Sequence, residues 1–357
     1  MPKAILLLSG GLDSTLAGKL LVEAGVEVEA LNFTSPFCNC TPKSSGCSAA
    51  RTAAEQLGVP VRTLGCGDEY LEVVKHPKHG RGRGANPCLD CRIHMFSRAK
   101  AHMLETGADF VATGEVLGER PMSQRRQAME TIERESGLQG LVVRPLCGRL
   151  FPPTVPEQQG LIRREWLHDI QGRRRLPQLE MASAFGISDY PCPAGGCLLT
   201  DAEFAAKFFD LFEHDPGFGV RDATLLRYGR HFRLPGGAKA VVGRNEEENG
   251  RIEQLVREDD VLLVPAEVNG PTALCRPGDA ASGDSSGDLA LVASLVASYV
   301  KGGTAIDVVA RQSGGPARMF RSAAPADREA AESWRVRAVR NAKTKRQETT
   351  VELRQRA

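Results

Sequence analysis

The chain has 357 residues, enough for two domains and a further small unit. Its 41% hydrophobic and 25% charged residues are the composition of a globular protein, which argues against disorder, and no apolar run approaches the roughly 20 residues of a membrane-spanning helix. A net charge of +2 does not by itself announce a polyanion binder, and the close spacing of several of the ten cysteines reads better as metal or sulfur chemistry than as disulfides.

The apolar run Ala4 to Leu8 predicts a strand, and Ser9-Gly10-Gly11-Leu12-Asp13-Ser14-Thr15 follows it as a tight turn and a helix start. Glycines let the backbone approach a ligand closely, and the first N–H groups of the helix favour an anion such as phosphate. Ser9, Ser14 and Thr15 add hydroxyl donors, and Asp13 is suited to hold a magnesium ion against phosphates. An ordinary strand-turn-helix has the same outline. No GKS or GKT is present, so a Walker-type loop is disfavoured.

Leu16, Leu20 and Leu21 recur at helical spacing up to Gly25, and Val26 to Phe33 reads as a second strand. A helix over Ser48 to Leu57, a strand over Val59 to Leu64, a helix over Ser97 to Thr106 and a strand over Phe110 to Thr113 continue the alternation. Repeated βα units predict an α/β fold with a doubly wound parallel sheet, its ligands at the carboxyl ends of the strands. The N-terminus enters a strand with no charged n-region or cleavage motif, so a cytoplasmic location is expected.

Gly84-Ala85-Asn86-Pro87-Cys88-Leu89-Asp90-Cys91-Arg92 places a CxxC before the third helix. A positive helix end lowers the pKa of nearby thiols, which suits a redox pair, half of a zinc site or, with a third cysteine, an iron–sulfur cluster. That third cysteine is available in Tyr190-Pro191-Cys192-Pro193-Ala194-Gly195-Gly196-Cys197, where prolines and glycines fix a loop. Cys38, Cys40 and Cys47 form another group, expected at the tip of the second strand and read as a metal or sulfur relay or as a plain surface loop. Cys66, Cys147 and Cys275 stand alone, as small buried hydrophobes often do.

SGGLDST resembles the signature of the PP-loop ATP pyrophosphatases, of the adenine nucleotide α-hydrolase-like fold. GxxxNPCxxCRxxMF followed by ADFVATGE is similar to the tRNA 2-thiouridylases, and the Tyr190-Pro191-Cys192 loop is similar to one in the 4-thiouridine synthetases. The resemblance covers residues 1 to about 200. It implies ATP held by Ser9, Gly10, Gly11, Asp13, Ser14, Thr15, Asn32, Thr113 and Gly114, with Mg2+ at Asp13. It also implies catalytic Asp13, Cys192 and Cys197, and a 4Fe-4S cluster on Cys88, Cys91 and Cys192 or Cys197.

The implied reaction is ATP-dependent tRNA uridine thiolation. A uridine carbonyl oxygen attacks the α-phosphate, pyrophosphate leaves, and sulfur from the cluster or from a cysteine persulfide displaces AMP. The expected partners are tRNA and a sulfur donor, either a persulfide carrier or sulfide, with a homodimer left open and no membrane. Two positions depart from the compared motif, which has histidine in place of Glu115 and aspartate in place of Cys88. The alternative is a PP-loop ligase acting on a small molecule, like the 7-cyano-7-deazaguanine synthases, although their C-terminal four-cysteine zinc cluster is missing here.

Arg120, Arg125 and Arg126, and the run Arg173 to Arg175 before a helix that ends at Gly186, are candidates for pairing with phosphates or else solvated helix charges. The expected domains are 1–214 for ATP binding and sulfur transfer, 215–310 for a smaller α+β module, and 311–357 for a basic tail. Within the module, Val242-Gly243-Arg244-Asn245 to Asn249 resembles the NFACT-R family, which implies RNA binding. From Arg335 to Ala357 eight Arg or Lys stand against two Glu, a composition suited to steering polyanions or simply to solubility.

Overall fold

A computed structural model describes residues 1–39, 48–190, 197–278, 285–302, 304–312 and 315–338. The chain divides into two compact units, Met1–Thr200 and Asp201–Ala357.

The first unit begins with β1 (Lys3–Leu7), α1 (Leu12–Glu23), β2 (Glu27–Thr34), α2 (Ser48–Leu57), β3 (Val61–Gly65) and α3 (Asp68–Lys75). It continues with α4 (Cys88–Thr106), β4 (Phe110–Thr113), α5 (Arg126–Ser136), β5 (Val142–Val143), α6 (Val155–Gln158) and α7 (Leu176–Ala184). All five strands are parallel, in the order β3-β2-β1-β4-β5. Successive side chains of a strand point to opposite faces. Ala4, Leu6 and Leu8 of the first strand region therefore join Ala17, Leu21, Ala53 and Leu57 on one side. Ile5 and Leu7 join Phe96, Ala99, Met103 and Ile132 on the other. With both faces covered by helices, the sheet is doubly wound, as the βα alternation predicts. Chain order reverses between β1 and β4, and the crevice beyond their carboxyl ends is where such folds bind ligands.

One element differs from its predicted bounds in a way that matters. The helix expected from Ser97 begins nine residues earlier, at Cys88. Pro87 occupies its N-cap position, and Asp90 in its first turn accepts hydrogen bonds from the Lys78 and His79 amides. Gly84 and Pro87 made the segment read as loop, yet proline just before a helix suits the start of one. Cys88 and Cys91 thus lie in the first turn of α4, not in a turn ahead of it.

The second unit contains α8 (Ala202–His214), α9 (Val220–Leu225), β6 (Arg230–Arg233), β7 (Lys239–Val242), α10 (Glu246–Gln254) and β8 (Val261–Pro265). It closes with β9 (Ala273–Arg276), α11 (Ser285–Ser298), β10 (Ile306–Gln312), β11 (Arg318–Ala323) and α12 (Arg328–Trp334). Its antiparallel sheet runs β11-β10-β8-β9-β7-β6. Val292, Leu295 and Val296 of α11 cover one face together with Phe232, Val242 and Leu263. Ile252 of α10 packs on the other with Leu225, Val241 and Leu274. Residues 315–338, part of the stretch read as tail, carry β11 and α12, whereas 339–357 lie outside the described residues.

Candidate active site

The phosphate-type loop sits at the switch point between β1 and β4, and two glycines explain how. Gly10 has φ +79°, and a Cβ there would overlap the backbone of Ala49 and Ala50 at the start of α2. At Gly114, just past β4, a Cβ would overlap the Asp13 carbonyl carbon and the Ser14 nitrogen. Backbone cannot yield as a flexible side chain can, so both positions exclude any side chain. The chain segments on either side of the crevice therefore approach to within backbone contact.

The loop itself is tied internally. Ser14 Oγ donates to the Gly11 carbonyl at 2.9 Å and Thr15 Oγ1 donates to the same oxygen at 3.1 Å. Ser9 Oγ and Ser14 Oγ share a hydrogen bond of 3.1 Å. Gly11 is the N-cap of α1 and no side chain caps that helix end, which leaves its first amides suited to an anion. Asn32 is buried at the end of β2; its Nδ2 donates to the Leu8 carbonyl at 2.8 Å, while its Oδ1 has no partner.

Asp13 is the charged residue of the loop. Its Oδ2 accepts from Arg175 Nη2 at 3.1 Å, and its Oδ1, although buried, accepts no hydrogen bond. Arg175 Nε lies 3.8 Å from Glu119 Oε1 and is likewise without a hydrogen-bond partner. Burial and then the adjacent Asp13 charge hold the Glu119 carboxyl above the ordinary carboxylate range. Of the arginines named from sequence, Arg175 is the one whose described contacts reach the loop. Arg126 instead donates to the Leu150 carbonyl and stacks over Phe151.

Glu115, where the compared motif has histidine, is buried between two guanidinium groups. Its Oε1 accepts from Arg92 Nη2 at 2.7 Å and its Oε2 from Arg144 Nε at 3.1 Å, and Arg144 also pairs with Glu133. Burial alone would raise its pKa, but Arg92 and Arg144 outweigh burial and hold it below the usual range. Because Arg92 follows Cys91 directly, this pair fastens the first turn of α4 to the end of β4. Thr113 is buried beside it, with Oγ1 3.4 Å from Glu115 Oε2.

The thiols gather at the same carboxyl-end side. Leu198 N donates to the Phe37 carbonyl at 2.9 Å and Ala85 N to the Leu199 carbonyl at 2.8 Å, which draws the Cys197 segment to Cys38 and to the approach of Cys88. Cys38, Cys88 and Cys91 all lie near enough to influence the ionisation of Cys197. Cys38 Sγ accepts from the Ser35 amide at 3.2 Å, and Cys91 Sγ accepts from the buried Tyr70 hydroxyl at 3.2 Å. A positive helix end is expected to lower the CxxC pKa, and the structure reverses this for Cys91. Burial pushes Cys91 up to about 11, Cys197 up to about 12 and Cys66 up to about 12, so each is a neutral thiol at pH 7. Desolvation outweighs the helix end because the helix effect reaches only about one turn and is modest.

Cys192, Cys40 and Cys47 lie outside the described residues. Among the described residues no group of three or more His, Cys, Asp or Glu side chains is arranged to hold a metal ion. The thiols match a soft metal by donor chemistry, but the described part of the set is not closed around one. Not legible in the sequence were the place of Cys66 beside the CxxC, and with it Tyr70 and Glu119. Nothing local announced Tyr70 or Glu119.

In the second unit a cavity of ≈ 730 Å³ is lined by Arg233, Lys239, Arg257 and Arg276. Each of these cations is already paired, with Asp210, Asp215, Asp222 or Asp260. They brace the sheet against α8 and α9 and are not an open anion site.

The fold and loop define the class: a doubly wound parallel α/β unit with a phosphate-type loop at its switch point, followed in the chain by an antiparallel-sheet unit. Residues 2–135 match the family described as the tRNA methyl transferase HUP domain, and residues 229–335 the NFACT protein RNA binding domain. Curated proteins similar to part of the chain are tRNA-specific 2-thiouridylases. The chain is 32% identical over 123 residues to the tRNA-specific 2-thiouridylase MnmA of Legionella pneumophila (strain Paris), covering 31% of this chain and 33% of the relative. It is 29% identical over 180 residues to that of Micrococcus luteus, covering 46% of this chain and 48% of the relative. The chain thus spans about a third to a half of the length of these curated relatives. The crystal structure of a 4-thiouridine synthetase–RNA complex with bound ATP is similar at 26% identity and TM-score 0.37, covering 52% of this chain and 41% of that one. No helix among the described residues is long and apolar enough to cross a membrane.

Proposed function

We propose that the protein is an ATP-dependent tRNA uridine thiolase: it adenylates a uridine carbonyl oxygen and then replaces that oxygen with sulfur. The observation that carries the reading is the side-by-side position of an uncapped phosphate-type loop and a thiol group at the carboxyl ends of one parallel sheet. An activating half and a sulfur-delivering half are what the reaction needs, because a carbonyl oxygen is a poor leaving group until it becomes part of a phosphate ester. The similarity to tRNA-specific 2-thiouridylases, the HUP-domain family match at residues 2–135 and the RNA-binding family match at residues 229–335 support it.

In this reading the α1 amides and the hydroxyls of Ser9, Ser14 and Thr15 receive ATP phosphates, and Gly114 lets β4 close on them. Asp13, with its unpartnered Oδ1, is the residue that would hold a magnesium ion, which when bound neutralises phosphate charge. Glu115 with Arg92 holds the CxxC turn against the nucleotide end of β4. Sulfur arrives on the thiol side and displaces AMP, the original carbonyl oxygen departing with the phosphate. Cys88, Cys91 and Cys197 or Cys192 are the residues that would ligate an iron–sulfur cluster, which when bound supplies an open iron for sulfide. Tyr70, donating to Cys91 Sγ, favours the thiolate form of that sulfur whenever it ionises. The second unit serves as the RNA-holding module in a cytoplasmic enzyme, and the sulfur donor is a separate persulfide carrier or sulfide.

The test is direct. Anaerobically purified protein is incubated with ATP, sulfide and tRNA lacking thiouridine, and digested nucleosides are analysed by mass spectrometry. Thiouridine together with AMP and pyrophosphate is expected; AMP release without any thionucleoside would refute the reading. Iron, acid-labile sulfide and zinc analysis of the same protein separates a cluster from bare thiols.

A further inference from the structure

We propose that Arg175 is a phosphate-contacting residue that Asp13 holds in reserve, pairing with the carboxylate in the nucleotide-free protein and passing to the β- and γ-phosphate oxygens when ATP binds. The inference rests on the nucleotide reading of the loop and assigns a residue to it.

Three observations support the exchange. First, Arg175 comes from 162 residues away in sequence to meet Asp13 in the phosphate-type loop. Second, the pairing is incompletely satisfied. Asp13 Oδ1 and Arg175 Nε are both buried without a hydrogen bond, and Glu119 stands 3.8 Å from Arg175, short of bonding it. Buried polar atoms left unpaired favour any arrangement that pairs them. Phosphate oxygens match the guanidinium fork, and a cation accompanying ATP matches the vacant carboxylate oxygen.

Third, the support of Arg175 is rigid while its side chain is long. Arg175 is the N-cap of α7, whose Ala182 packs with Leu12 and Leu16 of α1 in one buried cluster. The helix can therefore stay in place while side-chain torsions carry the guanidinium from carboxylate to phosphate. Charge makes the residue necessary as well. Asp13 and Glu119 both border the crevice, and without a cation between them they would repel an incoming polyphosphate.

The experiment is equilibrium binding of ATP, pyrophosphate and AMP, with magnesium and in EDTA, to the full chain and to Arg175→Met, Arg175→Lys and Asp13→Asn. Arg175→Met is expected to weaken ATP and pyrophosphate by about ten- to hundredfold and AMP by less than about threefold, as loss of a charge-assisted contact to the terminal phosphates predicts. Arg175→Lys is expected to recover part of the loss, since the charge remains but the fork does not. Asp13→Asn frees the guanidinium and is expected to tighten ATP binding severalfold in EDTA. Equal losses for ATP and AMP in Arg175→Met, or no tightening by Asp13→Asn in EDTA, would overturn the assignment while leaving the nucleotide reading intact. Absence of ATP binding by the unaltered chain would overturn both.

Discussion

Glu115 is the residue through which the two halves of the candidate site are fastened, and its replacement has a calculable consequence. Glu115→Gln leaves Arg144, 4% exposed, and Arg92, 26% exposed, beside a neutral amide. Breaking one side of a buried pair costs about 3–5 kcal/mol, because a charge stays buried without its partner. The Arg144 end lies at the lower limit of that range, because Glu133 still pairs one side of its guanidinium; the more exposed Arg92 adds little. A loss of about 3 kcal/mol in a unit of this size lowers Tm by roughly 6–12 °C. The two tryptophans make the assay specific. Trp166 belongs to the first unit and Trp334 to the second, so a Trp334→Phe background reports the first unit alone. Urea and thermal melts of that background with and without Glu115→Gln give the difference. Glu115→His, the residue of the compared motif, adds a cation on protonation and should be worse at pH 6 than at pH 8. A loss below about 1 kcal/mol would show that the Arg92–Glu115–Arg144 network does not hold the α4 turn.

Further outcomes are expected at other positions. Gly114→Ala, whose methyl would meet the Asp13–Ser14 backbone, should lower ATP affinity by at least about tenfold, read by nucleotide titration, and unchanged affinity would remove the close approach from the argument. Asp13→Ala should abolish pyrophosphate release with tRNA present, whereas Cys91→Ala should retain ATP binding and lose thionucleoside formation; the two readouts are measured on the same preparations. His231 is fully buried and, chiefly through desolvation, titrates well below its ordinary range. The unfolded chain binds a proton near pH 6.5 that the folded chain refuses, so this residue's contribution to stability falls as pH drops below about 6.5, by at most about 1.4 kcal/mol per unit. His231→Gln should flatten that limb between pH 7 and 5 in melts followed by Trp334, and an unchanged slope would exclude the residue as its source.

Much was legible in the sequence because it was written in local patterns. Alternating strand and helix signals gave the parallel sheet, and Gly10, Gly11 and Asp13 behind an apolar run gave the loop and its place at a strand end. Such signals are carried by neighbours a few residues apart, so period and turn chemistry suffice. The order β3-β2-β1-β4-β5, and with it the position of the loop at the switch point, required long-range pairing. So did the meeting of Arg175 with Asp13 and of Cys38 with Cys197, which join segments far apart in the chain. The protonation of the thiols was decided at the same level. Spacing put Cys91 at a positive helix end, but only packing determines how much water a sulfur loses, and that loss reversed the direction of its pKa.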